Sequence, residues 1–144
     1  FALGLAVSGA EAADFWSSLW RNADQRGERL LRQGDAAAAA RTYADPRRRA
    51  YAELLAGDHA AAARDFAAFD DGDAHYNRGN ALALGGDLDG ALKAYDTALA
   101  RDPGNADARR NRDLVARALK QAPPSGLPDS SVLEIWIAPG RSER

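Results

Sequence analysis

The chain has 144 residues, a formal net charge of −2, no cysteine and no methionine. That length predicts one domain, and the missing cysteine excludes disulfides and thiol chemistry. The near-neutral balance gives no general electrostatic case for nucleic acid.

Residue 1 is Phe, so the expectation is a chain whose start is processed or lies further upstream. Residues 1–10 read FALGLAVSGA, apolar and small. They are too few to cross a bilayer, which takes about 20 apolar residues. With Glu11, Ala12 and Ala13 they suggest, over 1–13, the end of a membrane or signal-type segment; an ordinary leader is the competing reading. Asp14, Phe15 and Trp16, then Leu19 and Trp20, predict a short helix capped by Asp14 that covers the first pair of helices after it. Stacking of Trp16 or Trp20 on a carbohydrate or peptide is the less favoured use.

Helices are expected over Asn22 to Gln33, Asp35 to Ala44, Arg47 to Ala56 and Asp58 to Phe69. The alanine run 36–40 has the best helix propensity but buries little area, so its use is close packing. Asp45-Pro46 stops one helix and starts the next. Asp70-Asp71-Gly72-Asp73 gathers carboxylates but lacks the spacing and terminal Glu of a calcium loop, so a helix-capping turn is expected.

Residues 72–105 are the most regular stretch. Tyr76, Gly79 and Ala83 recur at helical spacing, as do Leu88, Ala91, Leu92, Tyr95 and Leu99. Gly86-Asp87 parts the two helices, and Asp102-Pro103 ends the second. Beyond Asn105 the chain repeats the register of a first helix without its partner, as terminal caps of repeat arrays do. Arg109, Arg110, Arg112, Arg117 and Lys120 line that helix as a solvated face; contact with an acidic partner is the minority reading. PPSGLP at 123–128 reads as a linker. SVLEIWIA at 131–138 is β-prone, and a lone strand is not stable. It is expected to pair with another copy, lie in a groove, remain unordered, or be an appended tail.

Gly-Asp serves as a ruler for internal repeats. Gly34-Asp35 and Gly57-Asp58 match Gly86-Asp87, at intervals of 23 and 29 residues. A bulky plug follows each at Tyr43, Phe66 and Tyr95, and a small residue at Ala39, Ala62 and Ala91. Gly27, Ala50 and Gly79 precede each as close-crossing positions. The intervals are short of 34 residues, so the first two second helices must be short. At these positions residues 72–105 resemble a tetratricopeptide unit, a pair of antiparallel helices. The resemblance implies an all-α, right-handed superhelix of about three pairs, residues 14–121, with covering helices at both ends. Residues 122–144 would then be linker and tail.

In that architecture the first helix of each pair lines a concave face. The expected partner-binding residues are Asp73, Tyr76, Asn77, Asn80 and Leu84 in unit three, Tyr51 and Leu55 in unit two, and Arg110 and Asn111 on the terminal helix. Arg47, Leu54 and Leu114 share their faces. Asn77 and Asn111 stand 34 residues apart, and an amide can pair with an extended peptide backbone without reading its sequence. Such repeats grip a terminal carboxylate with asparagines and lysines; Tyr76 and Asp24 stand where lysines would be, which speaks against a carboxylate clamp. The competing reading has Asn77 and Asn111 only tying adjacent helices together. His59 and His75 lack metal-ligand spacing, and no phosphate loop or nucleophile elbow appears. No metal, no cofactor and no catalysis are expected.

DQRG (24–27), YADPR (43–47), LAGD (55–58), DAHYNRGNALA (73–83) and NADARRNR (105–112) go further. Together they resemble the repeat region of bacterial membrane proteins that join a von Willebrand factor A domain to tetratricopeptide repeats, the aerotolerance Bat-type group. That resemblance implies a non-catalytic scaffold in a membrane-associated complex with a MoxR-type AAA+ ATPase. It also implies tethering by an upstream segment, with the module on the periplasmic side. The alternative is a chaperone-like receptor for extended peptide tails, self-associating through residues 131–138.

Overall fold

Side-chain caps decide where the helices start. A computed structural model describes residues 9–121 and places seven helices, and no strand, among them. They are α1 (Gly9–Arg32), α2 (Ala36–Thr42), α3 (Pro46–Ala56), α4 (His59–Phe66), α5 (Gly72–Leu84), α6 (Leu88–Arg101) and α7 (Ala106–Gln121). Every helix after α1 starts behind an Asp or Asn that accepts the N–H three residues on. Asp35 takes it from Ala38, Asp45 from Arg48, Asp58 from Ala61, Asp71 from Ala74, Asp87 from Gly90 and Asn105 from Ala108. Each cap satisfies an amide the first turn leaves open and is worth about 1 kcal/mol. Asp71 is thus a capping residue, as expected of that acidic stretch.

The turn inside each pair is one structure used three times. The glycine is left-handed, with φ of +83° at Gly34 and Gly57 and +90° at Gly86. The next Asp N–H reaches back to the carbonyl of Leu30, Glu53 and Leu82 in turn, and the glycine N–H to Leu31, Leu54 and Ala83. An L side chain at such a φ costs about 1–2 kcal/mol, so Gly-Asp specifies the turn.

The uneven intervals are absorbed by the second helices. α2 has 7 residues and α4 has 8, against 14 in α6. Packing follows chain order: each helix contacts the next, and α3 and α7 also touch α5. Gly27 and Gly79 are the close crossings. A Cβ would fall 2.7 Å from the Tyr43 ring at Gly27 and 2.6 Å from the Tyr95 ring at Gly79. Unit two substitutes Ala50 and Phe66, both buried in one cluster.

The N-terminal end differs from expectation. Asp14 caps nothing, because it lies inside α1, a continuous helix of 24 residues. Nothing between Asp14 and Arg32 breaks it: there is no proline, and the single Gly27 costs only about 1 kcal/mol relative to alanine. The expected boundary between residues 13 and 14 therefore falls within a helix. Phe15, Trp16, Leu19 and Trp20 are 57%, 58%, 41% and 63% exposed and do not cover the first pair. At the other end α7 does lie over α6 and α5. No described helix is long and apolar enough to cross a membrane. The expectations for residues 1–8, the 123–128 linker and the 131–138 segment lie outside the described residues.

Candidate partner-binding face

The expected face divides into buried and accessible halves. Tyr76 and Tyr95 pack with their ring centroids 6.3 Å apart, inside a core of Ala83, Leu88, Ala98, Ala108 and Val115. Asn80 Oδ1 accepts from the Tyr95 hydroxyl at 2.7 Å and from Asn111 Nδ2 at 3.0 Å. One amide thereby ties α5 to both α6 and α7. Burial, with Tyr76 close by, raises the Tyr95 phenol well above the ordinary range, so it stays a donor.

This corrects five of the residues expected to offer surface. Tyr76, Asn80 and Asn111 are fully buried, and Asn77 and Tyr51 nearly so. For Asn80 and Asn111 the tying role is what the geometry displays. Asn77 Oδ1 and Asn80 Nδ2 are buried with no hydrogen-bond partner, an uncommon state that costs about 1–3 kcal/mol each. The four other residues keep accessible surface. Leu55 and Arg110 are exposed, and Asp73 and Leu84 are half-buried.

Arg47 and Asp24 serve the joints between units. Arg47 grips Asp71 with both terminal nitrogens, at 3.1 and 2.5 Å, and lies 4.3 Å over the centre of the Phe69 ring. That fork holds the Asp71 carboxyl below the usual carboxylate range while Asp71 caps α5. Asp24 Oδ1 accepts the N–H groups of Ala44 and Asp45, fastening α1 to the α2–α3 link. His75 Nε2 sits 2.9 Å from Asp70, which Arg101 also holds at 2.6 Å. Both groups hold the Asp70 carboxyl below its usual range, His75 more than Arg101. Leu54 is core, packed with Ala50 and Phe66.

One of these pairs, α5–α6, matches a known repeat. The tetratricopeptide repeat profile covers residues 72–105. Residues 72–105 are a tetratricopeptide repeat. No curated protein and no solved structure matches the chain. Tetratricopeptide repeats generally mediate protein–protein interaction and are typically non-catalytic.

One recurring feature of the helix pairs was not foreseen from sequence. The residue after each close-crossing glycine accepts a hydrogen bond from the plug tyrosine. Glu28 Oε2 takes it from Tyr43 at 3.0 Å, as Asn80 takes it from Tyr95. Where the plug is Phe66, the corresponding position is Tyr51, and no such bond is needed. The signal was present: an acceptor follows the glycine wherever the plug carries a hydroxyl.

Proposed function

We propose that residues 14–121 form a non-catalytic protein–protein interaction module, and that a peptide or protein partner contacts Leu55, Asp73, Leu84 and Arg110. The match of residues 72–105 to the tetratricopeptide repeat carries this reading. The geometry supports it further. Leu55 and Leu84 occupy equivalent last-turn positions of α3 and α5, and Arg110 is exposed on α7. Tyr51, Tyr76, Asn77, Asn80 and Asn111 lie behind as the support that fixes the face. On the resemblance alone, we place the partner in a bacterial membrane-associated von Willebrand factor A and MoxR-type AAA+ assembly, with the module on the periplasmic side. What supports that placement is the set of phrases between residues 24 and 112.

Peptides selected from a displayed random library on the full chain test the face. Their dissociation constants are then measured by calorimetry for the chain and for Leu55→Glu/Arg110→Glu, after circular dichroism shows both equally helical. The expected outcome is weakening of about 10-fold or more, as for residues near a binding centre. Equal affinity for both proteins, or no selectable peptide, would remove the face from consideration. Absence of von Willebrand factor A and AAA+ proteins from material co-purified out of membranes would sink the assembly reading separately.

A further inference from the structure

Among the described residues, nothing packs on the apolar face of the first half of α1. Ala12, Phe15, Trp16, Leu19, Trp20 and Ala23 continue the same stripe as Gly27, Leu30 and Leu31. The C-terminal part of that stripe is covered: Tyr43 packs on Gly27, and Leu30 and Leu31 join the clusters around α2 and α3. The N-terminal part is bare because α2 ends too soon. α1 is about 36 Å long and α2 about 10 Å, and Asp24 ties down the chain just past α2's end. In the 72–105 pair the two helices are matched, at 13 and 14 residues. The bare stretch therefore presents the surface that further turns of a second helix would cover.

We propose that a second copy of this chain covers it, two α1 segments pairing antiparallel about a two-fold axis between residues 17 and 18. Three observations select this occupant. A two-fold interface must be self-complementary, and the stripe is: Trp16 meets Leu19 of the second copy, and Ala12 meets its Ala23, with Phe15 and Trp20 of both copies bracketing these layers. From Ala12 to Ala23 the stripe carries no charged residue, so no ion is stranded on closure. The bare side chains present roughly 500 Å² per copy, about 1,000 Å² for the pair, the lower bound of a specific interface. Antiparallel is also the direction in which α2 already runs against α1. Each copy thus gives the other the helix turns that its own short α2 lacks.

Sedimentation of the full chain over a concentration series is the first test. A monomer–dimer equilibrium with a micromolar constant is expected, and Trp16→Glu/Trp20→Glu should weaken it by about 100-fold without loss of helicity. Direction is tested with thiols, which the chain lacks. Under mild oxidation an equal mixture of Ala12→Cys and Ala23→Cys chains should give the mixed disulfide. Neither variant alone should cross-link, because antiparallel packing holds two residues 12 about 16 Å apart, while a disulfide needs about 4.4–6.8 Å between Cα atoms. Self-linking of each variant would mean a parallel pair and overturn the proposal. So would a chain that stays monomeric at every concentration, a dimer indifferent to the glutamates, or a monomer that floats instead with phosphatidylcholine vesicles.

Discussion

The α1–α2 and α5–α6 pairs share one crossing but not one length. Both set a tyrosine ring on a helix glycine, and in both the tyrosine hydroxyl donates a hydrogen bond to the residue after that glycine. In α5–α6 the second helix runs the length of the first, and the acceptor Asn80 is sealed and shared with Asn111. In α1–α2 the second helix stops after two turns, and the acceptor Glu28 is half-buried. Tyr43 also borders a surface cavity of about 460 Å³, together with Arg41, Arg49 and Glu53. The same local device is therefore locked in one pair and loose in the other. What differs is how much second helix is there to hold it.

The largest expected effect is at the acceptors. Asn80→Ala removes from a closed core the acceptor that the Tyr95 hydroxyl and Asn111 Nδ2 share, and should cost about 3 kcal/mol. Glu28→Ala should cost no more than about 1 kcal/mol, because water can reach the Tyr43 hydroxyl's surroundings. Urea midpoints for the two variants decide it, and equal losses would erase the contrast.

The crossings should show a smaller gap. Gly79→Ala forces a Cβ against the Tyr95 ring and should lose about 2 kcal/mol, even after the gain in helix propensity. Gly27→Ala meets the Tyr43 ring at a similar distance. There the ring can move toward the cavity, so the change should stay within about 1 kcal/mol of zero. A Gly27 variant as damaged as the Gly79 variant would mean that the first pair is no looser than the third.

The smallest effect is seen only in alkali. Burial, then the bond to Glu28, pushes the Tyr43 phenol up to about 12. An unfolded tyrosine ionises near 10, so about 10 marks where the folded and free groups part. The stability held by neutral Tyr43 is therefore complete below that pH and disappears as pH rises through about 12. Glu28→Gln should lower the midpoint of one tyrosine in an absorbance titration while leaving buried Tyr95 in place. An unmoved midpoint would show that Tyr43 does not use Glu28.

Much of the fold was legible because it rests on local grammar. Gly-Asp is needed wherever a left-handed residue meets a cap, and it located all three turns. The shortness of α2 and α4 came from counting between them. Burial of Tyr76, Asn80 and Asn111 was not legible. Helical phase places these residues on one side of α5 and α7, but whether that side is open depends on how closely α7 lies against α5 and α6. The length of α1 was missed for a different reason. Asp14 looks like a cap in sequence, yet a cap needs a non-helical residue before the helix, and the preceding alanines propagate helix instead. At the site, the accessible residues Leu55 and Arg110 were named from phase alone, while the joint-forming bonds of Asp24 and Arg47 were not legible because their partners lie 20 to 24 residues away.

The chain-order packing has a consequence for how the molecule assembles. With contacts mainly between successive helices, and from α5 to α3 and α7, most steps in folding close only short loops. Assembly can begin at any adjacent pair and spread in both directions, as in other stacked repeats. Low sequence separation of contacts also favours speed. The Arg47–Asp71 clasp is then a coupling between tiers: with the apolar packing of α3 and α4 on α5, it lets unit two feel whether α5 has formed.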